Sequence, residues 1–278
     1  MEQKERQKQP FSCLLSVYFK DNAAWLKQAI DSVLANTVKP TEVVIIVDGP
    51  VGKDMQAIID EAAKNEIVRV LSYPVPMLRA AALAFAIKQC QYDLIAIQGA
   101  DSISLPDRFG KQLSYFAEHP ETVVLGGYAQ EIDNNDLLPT AIREVPESEE
   151  EIKTLLKSRS PFIYRTVMFK KQAILDAGNY KDFPNLEDEY LWGRVIGKGY
   201  KTANLTSVIA NIHSIDAYEQ MVLALPHFQM KKELFSTMRQ MGMIGGLAYY
   251  RLVCTAFIKY LILPNWFRRM FHLYDVRA

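Results

Sequence analysis

The chain has 278 residues, enough for one large domain or two small ones with a sizeable core. Its 32 Lys and Arg equal its 32 Asp and Glu, so no net field draws it to nucleic acid. Three scattered cysteines, Cys13, Cys90 and Cys254, have neither metal nor disulfide spacing, which fits a reducing compartment, and no run of 18 apolar residues is present to span a bilayer.

The opening "MEQKERQKQP" is charged with no apolar run behind it, so it reads as a tail (1–10) and not a secretory signal; a cytoplasmic protein is expected. "SCLLSVY" (12–18) predicts a buried strand. "AAWLKQAIDSVLAN" predicts a helix, with Trp25, Leu26, Ala29, Ile30, Val33 and Leu34 at helical spacing. "EVVIIVDGP" is a run of β-branched residues typical of a strand covered on both faces. A helix at 53–64, a strand at "IVRVLSY", an Ala-rich helix at 78–90 and a strand at "YDLIAIQ" follow. This alternation predicts an α/β fold: a Rossmann-like, mostly parallel sheet flanked by helices, with ligands at the carboxyl ends of its strands.

Beyond it, "REVPESEEEIKTLLKS" predicts a loop leading into a solvated helix whose Glu run caps and solubilises. "TVMFKK" predicts a further strand, "QAILDAG" a helix capped by Gly178, and the stretch around 126–165 is expected to shape the site as loops. From about 217 the chain turns helical and rich in Met, Leu, Phe and Tyr, so a main domain at 11–216 and a helical region at 217–278 are expected. Between Tyr249 and Tyr274, apolar residues alternate with Arg251, Lys259, Arg268 and Arg269, and Pro264 interrupts them. That pattern suits a helix lying in a bilayer interface, and equally a hairpin packed on the core or on a second copy in a homodimer.

Three acidic positions carry candidate chemistry. Asp48 ends an apolar strand before the turn at Gly49-Pro50; it suits a base N–H, or simply forms the turn. Asp101 ends the next long strand, and a parallel sheet can bring both acids to one edge. Glu187 and Asp188 begin a helix, where acids are favoured by the dipole; the functional alternative is a general base against the apolar wall of Leu191 and Trp192.

The segments "SVYFKDNAAWLKQAIDSVLANTVKPTEVVIIVDGP", "YDLIAIQGADSISLPDRFGKQLSYF", "TVMFKKQAILDAGNY" and "LEDEYLW", in that order, resemble successive signatures of family 2 glycosyltransferases, inverting enzymes of the GT-A fold. The resemblance runs from about residue 12 to 215. It implies hexosyl transfer from a nucleotide-sugar donor, UDP-linked, to a hydroxyl of a glycan or lipid-linked acceptor in cell-surface polysaccharide synthesis, at the inner face of the cell membrane. On this resemblance Asp48 contacts the base, and Asp101 and His213 hold a divalent cation, Mn2+ or Mg2+. Asp188 deprotonates the acceptor and Glu187 orients it or caps the helix.

The chain also departs from the family pattern. Gly99-Ala100-Asp101-Ser102 stands where Asp-Ala-Asp-Asp is usual, leaving Asp101 and Ser102 beside the nucleotide sugar. Pro76 and Ala84 replace a turn and an Asn; Arg79 is new there and is either a phosphate partner or a surface residue. Ser160-Pro161-Phe162-Ile163-Tyr164-Arg165 replaces Asn-Pro-x-x-His, and Tyr190 replaces the second acid of the Glu-Asp-Tyr-Asp pattern. These losses leave open a catalytically degenerate GT-A domain that binds or scaffolds. Neither G-x-S-x-G nor G-x-G-x-x-G occurs, and "YFKDN" offers no Gly-rich phosphate loop, which disfavours hydrolase, dehydrogenase and nucleotidyltransferase readings.

Overall fold

A computed structural model of the chain describes residues 9–73, 75, 77–183, 186–213 and 224–263. The tail before residue 9, Pro76, and the basic end with Pro264, Arg268, Arg269 and Tyr274 lie outside the described residues. The first half follows the expected alternation: β1 (Phe11–Tyr18), α1 (Ala23–Leu34), β2 (Glu42–Asp48), α2 (Lys53–Ala62), β3 (Val68–Tyr73), α3 (Arg79–Gln89) and β4 (Leu94–Gly99). Asn22 starts α1 by accepting the N–H groups of Ala24 and Trp25 at 2.9 and 3.2 Å, which pairs two of the donors a helix start leaves open.

After β4 come β5 (Ser102–Ser104), α4 (Arg108–Glu118), β6 (Thr122–Ile132), β7 (Pro139–Arg143) and α5 (Glu149–Leu155). Then follow β8 (Met168–Lys170), α6 (Lys171–Asp176), α7 (Glu187–Gly197), β9 (Lys201–His213), α8 (Ala224–Gln240) and α9 (Gly246–Phe257). The strands form one sheet in the order β3-β2-β1-β4-β8-β6-β9-β5, with β7 added to β6. β1 pairs in parallel with β2 and β4, and β2 with β3; β8 then runs antiparallel to both β4 and β6. The sheet is thus parallel from β3 to β4 and becomes mixed beyond β4.

The two faces of the sheet divide the core by the period-2 rule. Leu14, Val44, Ile46, Ile95 and Ile97 face α3, α6, α7 and α8, where Trp192 is buried edge-on to Phe162. Cys13, Leu15, Val43, Ile45 and Ala96 face α1, α2 and α4. Every residue of β2 is buried, as a strand covered on both sides requires.

The acidic run starts α5 with a reciprocal cap: Ser148 Oγ accepts the Glu151 N–H, and the Glu151 carboxylate accepts the Ser148 N–H. Gly178 closes α6 at φ +88°. The stretch 126–165 is not loop alone, because much of it is the β6–β7 hairpin, and β6 also pairs along most of its length with β9. The Gly126-Gly127 pair masks β6 in the sequence, yet close packing explains Gly126: a Cβ there would lie 2.1 Å from Asn204 Oδ1. At the C-terminus, Leu234, Phe235, Met238, Ile244, Ala256 and Tyr260 join the core, and Lys231 lies 3.4 Å from Glu189 of α7. The described part of this region therefore packs as a helical hairpin against α7.

Candidate active site

The carboxyl ends of β1, β2 and β4 open into a cleft of about 590 Å³ that reaches Asp21, Asp48, Arg79, Asp101, Tyr164, Arg165 and Asp188. Asp48 and Asp101 stand one strand apart across β1, so the parallel ladder does bring the two acids to one edge. Asp48 is buried, and its Oδ1 accepts the Met77 N–H at 2.5 Å. Gly49 then turns the chain at φ +81°, a conformation that glycine adopts without strain.

Asp101 follows β4 and meets a guanidinium. Arg165 Nε donates to Asp101 Oδ1 at 2.5 Å and Arg165 Nη2 to Oδ2, a two-pronged pair that uses both carboxylate oxygens. Gly99 makes room for this arrangement, since a Cβ there would lie 2.7 Å from Asp101 Oδ1 and 2.8 Å from Arg165 Cγ. Ser102 does not reach the cleft. Its hydroxyl is fully buried, donating to the Gly99 carbonyl at 3.0 Å and accepting from Gln98 Nε2 at 2.9 Å.

His213 ends β9, and its N–H donates to the Asp101 carbonyl at 3.1 Å. Its ring stacks on Trp25 with centroids 4.3 Å apart, and Nε2 lies 2.9 Å from Gln28 Oε1. Burial pushes the imidazole pKa down, so the ring is neutral near pH 7. Its Nδ1 has no partner among the described residues. A hard divalent cation takes six or more oxygen ligands. Asp101 is already matched to Arg165, His213 offers one ring nitrogen, and the described residues contain no cluster of three metal-binding side chains, so a cation here would draw most of its ligands from phosphate and water. Asp101 and His213 alone therefore do not make a preformed cation site.

α7 presents the other acids. Asp188 Oδ1 accepts the Tyr180 hydroxyl at 2.9 Å, and Oδ2 lies 3.3 Å from Arg79 Nη2. Glu187 Oε2 is 3.8 Å from Arg79 Nη1, and burial raises its pKa. The Arg79 guanidinium lies over the Tyr164 ring, 4.3 Å from its centroid, so Arg79 is held in the cleft and not on the open surface. A second cleft of about 590 Å³ runs from Asp188, Tyr164 and Arg165 between the 159–165 segment and β7, past Arg143 and Ile142. Asp188 thus lies on the wall shared by both clefts, while Glu187 lines neither.

Sequence reasoning assigned no role to Asp21, Tyr164, Arg165 or Tyr180. The only signal for Tyr164 and Arg165 was that their segment departs from the family pattern. Tyr190, another departure, stacks on Phe183 at 4.1 Å and covers Arg194, which makes it a packing residue.

A mixed sheet flanked by helices, with an acid-lined cleft at the carboxyl ends of its parallel strands, is the architecture of the GT-A class of folds. Residues 12–178 match the model of Glycosyl transferase family 2, and the chain belongs to that family of glycosyltransferases. Among its relatives, an Escherichia coli protein named UDP-Gal:alpha-D-GlcNAc-diphosphoundecaprenol beta-1,3-galactosyltransferase is 31% identical over 73% of this chain and 73% of its own. The Amylovoran biosynthesis glycosyltransferase AmsE of Erwinia amylovora is 27% identical over 86% of this chain and 91% of its own. Among solved structures, S. aureus TarS 1–349 in complex with UDP-GlcNAc aligns with TM-score 0.70 at 12% identity, over 90% of this chain and 73% of that one. The chain spans 39% of a longer S. aureus TarS chain. The mannosyltransferase PcManGT of Pyrobaculum calidifontis, in complex with GDP-Man and Mn2+, aligns with TM-score 0.61 at 12% identity, over 94% of this chain and 76% of that one. At such identities these two structures share the fold with this chain.

Proposed function

We infer that the protein moves a sugar from a nucleoside-diphosphate donor, UDP-linked, to a hydroxyl of a lipid-linked or glycan acceptor, with inversion at the sugar carbon. The observation that carries this reading is the position of Asp188 on the wall common to the two clefts. The donor occupies the cleft at Asp48, which accepts a base N–H; the acceptor enters along β7. The acceptor oxygen attacks the anomeric carbon from the side opposite the diphosphate. Asp188 takes its proton, and the breaking bond's electron pair leaves with the diphosphate. The names of two relatives, one for a diphosphoundecaprenol-linked sugar and one for amylovoran biosynthesis, favour a lipid-diphosphate acceptor in polysaccharide assembly. A purified-protein screen of nucleotide sugars, with a lipid-diphosphate sugar as acceptor, should release UDP from one donor. Failure to bind or turn over any nucleotide sugar would sink the reading in favour of a degenerate binding module.

A lipid-linked acceptor calls for contact with a membrane surface. Among the described residues no helix is long and apolar enough to cross a membrane. Leu247, 87% exposed, and the exposed Tyr250, Phe257, Ile258 and Ile262 give α9 and the turn after it an apolar outer face. Such a face inserts shallowly among lipid head groups, with Arg251 and Lys259 beside it to meet anionic ones. The intact protein should co-sediment with vesicles containing phosphatidylglycerol, and Leu247→Glu with Ile262→Glu should release it. Equal sedimentation of both proteins would remove α9 as the contact.

A further inference from the structure

We propose that Arg165, with Arg79 beside it, supplies the positive charge that binds and stabilises the leaving diphosphate, in place of a divalent cation. The proposal rests on the donor reading above and concerns which group holds the phosphates.

Three features of the site lead here. Arg165 lies next to Asp101, where the phosphates of a donor based on Asp48 must run, and it lines both clefts. Its Nε and Nη2 are fixed on Asp101, which locks the plane of the guanidinium, while Nη1 makes no hydrogen bond among the described residues. A guanidinium so oriented keeps donors for a phosphate oxygen and loses little freedom on binding it. Burial disfavours the Arg165 charge, but the field and bonds of Asp101 outweigh it, so the group stays charged.

The second feature is mutual exclusion at Gly99. Any side chain there would begin within 3 Å of both Asp101 Oδ1 and Arg165 Cγ. An acid at 99 and Arg165 in this position therefore cannot coexist. Gly99 thus leaves room for a guanidinium built into the chain beside Asp101, at a position where the family pattern has a carboxylate.

The third is Arg79. Its guanidinium covers the Tyr164 ring, and its charge is felt at Arg165. Its contact with Asp188 is 3.3 Å, longer than a tight ion pair, and its side chain is 38% exposed. A diphosphate entering between Asp48 and Asp188 meets two guanidinium groups, enough to offset the charge that develops on the departing oxygen.

Calorimetry of the whole protein with UDP and with GDP, in EDTA and then in Mn2+, tests this. UDP is expected to bind with affinities within about two-fold in the two buffers. Arg165→Ala should weaken UDP by about 10- to 100-fold in both buffers, with Arg165→Lys recovering only part of the loss because a lysine cannot hold Asp101 and phosphate at once. Thermal melts of both variants separate lost binding from lost folding, and the Lys variant carries the test if the Ala variant melts early. UDP binding that appears only with Mn2+, or that Arg165→Ala leaves intact, would overturn the proposal while the glycosyltransferase reading stands. Absence of UDP and GDP binding in either buffer would overturn the donor reading itself.

Discussion

Asp188→Asn is expected to lower sugar transfer by about 10²- to 10⁴-fold, the usual contribution of a positioned general base, with donor affinity little changed. An alcohol is a poor nucleophile at neutral pH, so its proton must leave as the new bond forms. Asp188 is placed for this task because its carboxylate faces both clefts and is oriented from two sides, by the Tyr180 hydroxyl at 2.9 Å and by Arg79 at 3.3 Å. The substitution is clean in hydrogen-bonding terms. An Asn amide can accept from Arg79 through its oxygen and donate to the Tyr180 oxygen through its nitrogen, so shape and pairing survive while basicity is lost. Glu187→Gln should behave differently. Glu187 lines neither cleft and meets Arg79 only at 3.8 Å, so its variant should change transfer by a few-fold at most. The measurement is kcat and donor KM for both variants with the natural acceptor class. A wild-type kcat in Asp188→Asn would remove Asp188 as the base, and a large loss in Glu187→Gln instead would install Glu187.

The parts of the molecule that were legible in the sequence are those set by local pattern. β2 reads as a doubly covered strand because every one of its residues is apolar or terminal, and it is buried throughout. α1 reads from its apolar stripe, and the acidic run before Leu155 reads as a capped helix, which the Ser148–Glu151 box bears out. β6 was hidden because two glycines interrupt it, and the reason for Gly126 is Asn204, a partner far along the chain. The site divides in the same way. Asp48, Asp101 and Asp188 stand at element ends, where chain order alone suggests function. Arg165 reaches Asp101 across 64 positions and Arg79 reaches Asp188 across 109, and no local pattern encodes such pairs. Ser102 shows the opposite error: next to Asp101 in sequence, it turns inward because the buried side chain of Gln98 takes its hydroxyl and its carbonyl.

The anchor beneath that loop is Arg108, and Arg108→Met is expected to destabilise the protein by about 3 kcal/mol, from two or so buried acceptors left unpaired. Arg108 is fully buried. Its Nη1 donates to Gln98 Oε1 at 3.1 Å and to Ser104 Oγ at 2.9 Å, its Nη2 to the Ile97 carbonyl at 2.7 Å, and its Nε to Gln112 Oε1 at 3.2 Å. Burial lowers its pKa to about 10, a sign that the interior resists the charge. Methionine relieves that resistance and fills most of the space, which offsets part of the loss. The Ile97 carbonyl and Gln112 Oε1 nevertheless lose their guanidinium donors. Gln98 keeps its bond from Ser104 at 2.7 Å but loses its bond from Arg108. A melting temperature lower by about 5–10 °C should follow for a domain of this size. Because Gln98 in turn holds Ser102 and the turn bearing Asp101, UDP affinity should fall with stability even well below the melting point. The exposed pair of Lys27 and Asp31 on α1 serves as the contrast, since Lys27→Ala should shift stability by no more than about 0.5 kcal/mol. A melting temperature for Arg108→Met within about 1 °C of wild type would mean that the turn carrying Asp101 is held by its own backbone bonds. The rigid seat argued for Arg165 would then have to come from Gly99 and β4 alone.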